Sequence, residues 1–261
     1  MLSKLMKHEL KATSRLLVPL YMILLLVAIV NRFILNLNIR EGIFLFFTGF
    51  LTITQIVLII AIIITTVLLM IIRFYKNLLS NEGYLMFTLP VNSHQLIISK
   101  LLITLFWVFV GIVIVLSALS ITFITSNNIE LIVHEIQRIF ADLKMFFPGK
   151  TTSMFIQLIL LILISAVTNI LMIYASIAIG QIFSKHKIIA SFVAYAIIYN
   201  VIQIVMLAAL VILSLIVSGS INFTKLLLNV AFPIGIVLGL IICTIFYIIT
   251  NYIFERKLNL E

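Results

Sequence analysis

Residues 73–100 read RFYKNLLSNEGYLMFTLPVNSHQLIISK, a polar interruption between two long apolar runs. The run that precedes it closes on Arg73-Phe74-Tyr75-Lys76, and Asn81-Glu82-Gly83-Tyr84 breaks the helical pattern. Pro90 disfavours helical geometry at Leu89, and Gly83 can take backbone angles closed to other residues. The stretch therefore predicts a short surface helix over Gly83–Thr88, a Pro-marked turn, and a new helix opening at Asn92 or Ser93. Such a segment is either a plain connector or a docking surface, and the rest of the chain bears on that choice.

Outward from it the chain is almost wholly apolar. Of 261 residues, 64% are hydrophobic and 10% charged, where a soluble domain is about half apolar and about a quarter charged. That excess cannot be hidden in a soluble core, so an integral membrane protein is expected. The apolar runs are too long and unbroken for membrane strands, which alternate over about ten residues. The fold class is all-α. A single cysteine, Cys243, excludes an intrachain disulfide framework and an all-cysteine metal site.

Six spans follow, at about 16–35, 42–72, 101–125, 154–183, 188–217 and 231–254, and together they read as one transmembrane domain over 1–261. The second exceeds the ~20 residues a bilayer needs and should tilt or project. Before the first, Leu2, Leu5, Met6 and Leu10 share one helical face and Lys4, Lys7, Lys11 and Arg15 the other. Residues 1–15 are expected to form a basic amphipathic helix in the headgroup layer, or else a simple charged flank. No small-x-small cleavage site follows Ala28–Arg32, so this segment is expected to be retained.

Lysine and arginine set the orientation. With the N-terminus inside, the inner segments carry eleven of them and the outer segments six. The positive-inside rule then puts both termini, residues 73–100 and the tight turn Ser184–Lys187 in the cytosol. The other long connection, 126–153, falls outside. There Ile129, Ile132, Val133, Ile136, Ile139, Phe140 and Leu143 line one helical face, and Glu130, His134, Arg138, Asp142 and Lys144 the other. Asn127 and Glu130 make a capping-box-like start and Pro148-Gly149 a stop, predicting an amphipathic helix over about 129–147. It reads as an external gate or as a structural lid. Lys225–Val230 is expected to be a short re-entrant or interfacial piece before Pro233.

Signs of catalysis are lacking. Gly149-Lys150-Thr151 resembles part of a phosphate loop, but Lys144 stands where that motif needs its first glycine. The four histidines are scattered, with no HExxH pattern and no serine-centred nucleophile elbow. No Asp, Glu, Lys or Arg lies in the middle of a span, where one costs ~3 kcal/mol. What remains there is neutral: Gln55, Thr65, Thr66, Gln157, Asn169, Tyr174, Gln181, Tyr195, Asn200 and Gln203. Singly these read as interhelical hydrogen-bonding groups, worth about 1 kcal/mol each. As a set, Gln55, Gln157, Asn169, Tyr174, Tyr195, Asn200 and Gln203 are candidates to line a sparsely polar path for amphipathic cargo, with energy supplied from elsewhere.

The segment Glu82, Gly83–Thr88, Leu89-Pro90-Val91 and Lys100 resembles the first cytoplasmic loop of ABC-2-type exporter permeases. The fuller string FYKNLLSNEGYLMFTLPV is similar to small Gram-positive permeases that export peptides such as amphipathic toxins. The likeness extends to the layout of the whole chain; the external helix is a departure that many family members lack or shorten. It implies two permease copies, as a homodimer or a heterodimer, with two separate cytosolic ATPase subunits that bring ATP and Mg. This chain would bind no cofactor and no nucleic acid. The ATPase would grip Glu82, Gly83, Tyr84, Leu85, Met86, Phe87 and Pro90, with Lys185 and His186 as a smaller second contact. The cargo implied is an amphipathic peptide, with drug or lipid efflux as the alternative transport reading. From another class, a non-transporting scaffold or peptide-immunity protein is the competing reading.

Overall fold

The computed structural model describes residues 2–37, 42–79, 93–124, 128–183, 186–216 and 226–256. No strand occurs among them; they form α1 (Leu2–Asn36), α2 (Ile43–Leu79), α3 (Ser93–Phe123), α4 (Ile129–Phe146), α5 (Thr151–Gly180), α6 (Lys187–Ile216) and α7 (Phe232–Arg256). All of these except α4 are long and apolar enough to cross a membrane, six in total. The chain is thus a multi-pass membrane protein by the length and composition of its helices. Contacts group it into two units, Met1–Arg73 with Ile98–Ile136, and Phe74–Ile97 with Gln137–Glu261.

In the first unit α1 presents one continuous packed stripe. Glu9, Thr13, Leu17, Tyr21, Leu24, Ala28 and Asn31 are all buried, and their three- and four-residue spacing keeps them on one face. Leu17, Tyr21, Leu24 and Ala28 meet Ile62 and Met70 of α2 and Ile103, Trp107 and Ala118 of α3. Residues 2–15 are helical as the periodicity predicts, with Lys4, Lys7, Lys11 and Arg15 exposed. They are, however, the start of the first span's own helix, without a break at residue 15. The buried stripe begins at Glu9, so this segment is packed against protein as well as charged outward.

In the second unit α7 lies close against α5 through two glycines. A Cβ at Gly239 would stand 2.7 Å from Ile164 Cγ2, and one at Gly235 3.2 Å from Leu161 Cδ2. The pair Gly235-x-x-x-Gly239 is the small-xxx-small spacing that lets membrane helices approach. Leu227–Ala231 is a π-helical turn continuous with α7, so the described part of the piece expected to be re-entrant or interfacial is helical and runs directly into the last helix. Pro233 accounts for the widening: it has no N–H for the Asn229 carbonyl, and its ring crowds that carbonyl. Lys150 Nζ donates to Asn229 Oδ1 at 3.0 Å.

The approach of α5 to α6 at Gly180 is tighter still. A Cβ on Gly180 would overlap Ser191 Oγ and stand 2.6 Å from Ser191 N and 2.8 Å from Lys187 O. The last two are backbone atoms that cannot swing aside. Gly180→Ala should therefore cost about 1–3 kcal/mol through forced backbone shifts. Gly49→Ala, with nothing within 4 Å of the new methyl, should be neutral or stabilising. Thermal unfolding of the two variants in detergent checks the contrast.

α4 forms where its periodicity predicts and ends at Phe146, with Gly149 at φ +71 in the following turn. None of its residues is buried.

Candidate functional site

Three charged side chains converge in the first unit, at the two ends of the polar stretch 73–100. The Lys100 ammonium donates to Glu9 Oε1. Arg73 Nη1 lies 3.6 Å from the other oxygen, Glu9 Oε2. One carboxylate on α1 thus holds the last residue before the stretch leaves α2's apolar run and the last before α3's apolar run begins. Glu9 is 7% exposed and Lys100 5%, whereas the Arg73 side chain is 28% exposed.

Neighbouring hydrogen bonds fix the carboxylate's helix in place. Trp107 Nε1 donates to Thr13 Oγ1 at 2.7 Å, and Thr13 Oγ1 in turn donates to the Glu9 carbonyl at 2.8 Å. Tyr21 tilts against Trp107 with ring centroids 6.0 Å apart. α1 and α3 are therefore joined by a buried ion pair and an indole hydrogen bond, about one helical turn apart on α1 and two on α3. Two opposite charges in a low-dielectric setting attract strongly only when geometry and hydrogen bonding are good. Here each oxygen of Glu9 has its own cation.

Of the expected coupling residues, Glu82, Gly83, Tyr84, Leu85, Met86, Phe87, Pro90 and Lys185 lie outside the described residues. His186 is described. It sits in the left-handed region at φ 59 and accepts the first hydrogen bond of α6, from Ala190 N at 3.0 Å. Asn, Asp and His are the side chains that enter that region most readily after glycine. His186 also borders an open apolar groove of about 440 Å³ lined by Ile179, Phe183, Ile189 and Val193.

Both flanks of the undescribed segment have partners in the second unit as well. His94, in the first turn of α3, lies 2.7 Å from the Tyr247 hydroxyl and stacks on that ring. Phe74, fully buried, stacks on Tyr174 at 3.8 Å and 5° and meets Phe254 edge-on.

The structure separates the expected path residues into two sorts. Gln55 and Tyr174 are enclosed, each 2% exposed. Gln55 is a hydrogen-bond hub. Asn31 Nδ2 donates to its Oε1 at 2.8 Å, and its Nε2 donates to Thr122 Oγ1 at 2.9 Å. Gln157 is half-buried, with its Oε1 enclosed and unpaired among the described residues. Tyr195 is half-buried, while Asn169, Asn200 and Gln203 are exposed. Asn169 and Asn200 each donate back to the carbonyl four residues earlier.

The hub carries an expected outcome. Gln55→Leu leaves Asn31 and Thr122, 0% and 2% exposed, without their shared partner. A loss of about 1–2 kcal/mol is expected, read as a lower unfolding midpoint in detergent. Gln55→Glu should be worse than Gln55→Leu, because it adds a buried charge without a cation.

Glu9, Thr13, Asn31 and Trp107 were not legible as site residues in the sequence. Glu9 offers one weak signal, a lone carboxylate among basic residues, yet its partners lie 64 and 91 positions away (73 − 9 and 100 − 9). No family model, curated protein or solved structure matches the chain.

Proposed function

We propose that this chain is the membrane-spanning permease subunit of an ATP-driven exporter of hydrophobic or amphipathic cargo, peptides foremost. It sits in a bacterial cell membrane with both termini in the cytosol, and residues 73–100 are the segment on which a separate ATPase subunit acts. The observation that carries the reading is the Glu9 clamp. Arg73 and Lys100 bracket the polar stretch, and one buried carboxylate ties both, from α2 and α3, to α1. A passive connector needs no such bracing. A loop that receives a push must be fixed at its roots, or the push is absorbed by local bending.

Four further features support the same reading. Tyr84, Met86 and Phe87 supply aromatic and flexible apolar anchors for a protein groove. The spans offer neutral amides and hydroxyls in apolar walls, a lining suited to amphipathic molecules and poor for ions. The chain's own residues supply no phosphate loop, so ATP and Mg come with the partner. The exposed apolar side of α4, with Ile136 48% and Ile139 56% exposed, suits the outer leaflet, to which its flanking spans already tether it.

Purifying the tagged chain from its native membrane tests the proposal. A stoichiometric ATPase subunit with vanadate-sensitive hydrolysis is expected. A clean preparation with neither would overturn the exporter reading in favour of a non-transporting scaffold or immunity protein.

A further inference from the structure

The polar stretch changes partners at its roots. Arg73 and Ile98 group with α1, whereas the described flanks 74–79 and 93–97 group with α5 and α7. On α2 the change takes one residue: Arg73 faces Glu9, and Phe74, fully buried, lies against α5 and α7. Phe74 is flat on Tyr174 of α5, with ring centroids 3.8 Å apart at 5°, and meets Phe254 of α7 edge-on at 5.8 Å. At the other flank, His94 Nδ1 stands 2.7 Å from the Tyr247 hydroxyl of α7. Tyr247 and Phe254 are seven residues apart (254 − 247), about two turns, hence on one face of the helix. Both ends of the stretch therefore bear on the same face of α7.

The two helices so reached are themselves joined. Gly239 and Gly235 of α7 leave no room for a Cβ against Ile164 and Leu161 of α5 without a shift of those side chains. Thr168 Oγ1 of α5 comes to 3.5 Å from the Gly239 carbonyl. A push on one is thus shared by the other. A ring enclosed between two others at contact distance cannot move without carrying them or opening a void. Interiors at native packing density resist the void, because its walls lose their dispersion contacts. Phe74 is placed to transmit displacement, not to absorb it.

We infer that Phe74 and His94 are positioning residues through which displacement of the stretch 74–97 drives α5 and α7 as a pair. The inference deepens the exporter reading and rests on it. The Glu9 clamp fixes the roots of the stretch to α1, and these two side chains give the ATPase stroke a second output. Neither is among the anchors expected to hold the ATPase, so holding and transmitting are separable by mutation.

Spin labelling tests it, because Cys243 is the only cysteine. The chain is purified with its ATPase subunit into lipid nanodiscs. In a Cys243→Ser background a nitroxide is attached at Ile248→Cys on α7 or at Leu26→Cys on α1, both exposed side chains. Trapping with MgATP and vanadate should change both spectra. With Phe74→Leu and His94→Ala together, ATPase should stay bound and the change at Leu26 should persist, while that at Ile248 falls at least twofold. Tyr247→Phe, which removes one hydroxyl only, should lower the Ile248 response in the same direction and guards the test against misfolding of the double variant. No response at Ile248 in the parent, a response undiminished in both variants, or equal losses at Ile248 and Leu26 overturn the relay and leave the exporter reading standing. A parent preparation without an ATPase removes the exporter reading and the relay with it.

Discussion

Glu9→Ala should destabilise the first unit by about 3–5 kcal/mol, the cost of leaving one member of a buried ion pair without its partner. Lys100 is 5% exposed, so Glu9→Ala leaves its ammonium buried without the Glu9 counter-charge. Arg73 is different. Its side chain is 28% exposed at 3.6 Å from the carboxylate, and Arg73→Ala should cost no more than about 1 kcal/mol. Glu9→Gln keeps an acceptor for Lys100 and removes only the charge, so it should fall between. The double variant Glu9→Leu with Lys100→Met removes both charges and fills the volume, and should recover most of the loss. Thermal unfolding in detergent reads the order: Glu9→Ala lowest, then Glu9→Gln, then the double variant near the parent. A double variant as unstable as Glu9→Ala would show that shape rather than charge pairing holds α1 to α3.

The same ranking should not apply to export. In the proposed mechanism the ion pair is needed to pass force from the loop to α1 and α3, so the double variant should be folded and poorly coupled. That separates bracing from mere stability.

How far the sequence was readable depends on the range of the interaction. Elements set by local periodicity and punctuation were legible: α3 opens at Ser93, before which Pro90 disfavours helix, and α4 ends just before Pro148-Gly149. The six long apolar helices follow from hydropathy alone. What was not legible depends on pairing across the fold. Glu9 looks like a stray acid in a basic amphipathic segment until Arg73 and Lys100 are brought to it. Gln55 reads singly as an interhelical hydrogen-bonding group and only within a set as a path residue, and its bonds to Asn31 and Thr122 accord with the first reading. Residues 2–15 run into the first span as one helix, and Glu9 and Thr13 continue its buried stripe with polar side chains, which hydropathy reads as surface. Two signals were present and undervalued. Gly235 and Gly239 stand four apart, the spacing of close helix contact. Pro233 sits within a helical run that must widen to hold it.

The largest functional effect is expected from residues 84–87. Tyr84, Met86 and Phe87 are large apolar side chains in an otherwise polar stretch of sequence, the composition of an interface hot spot, where a few anchors carry most of the affinity. Truncating three such anchors together removes several kcal/mol of binding, since each costs about 2 kcal/mol or more. At about 1.4 kcal/mol per tenfold, the affinity of an ATPase subunit should fall by at least 10³. Membrane insertion should be unaffected, because the six apolar helices and the Glu9 clamp do not include these residues.

The most direct measurement is therefore side-by-side purification of the tagged parent chain and the Tyr84→Ala, Met86→Ala, Phe87→Ala triple variant from native membranes. Each preparation is scored for bound ATPase subunit and for hydrolysis. The account predicts a stoichiometric ATPase with the parent and its loss from an equally abundant, equally monodisperse triple variant. An ATPase retained undiminished by the triple variant, or absent from both, would contradict it.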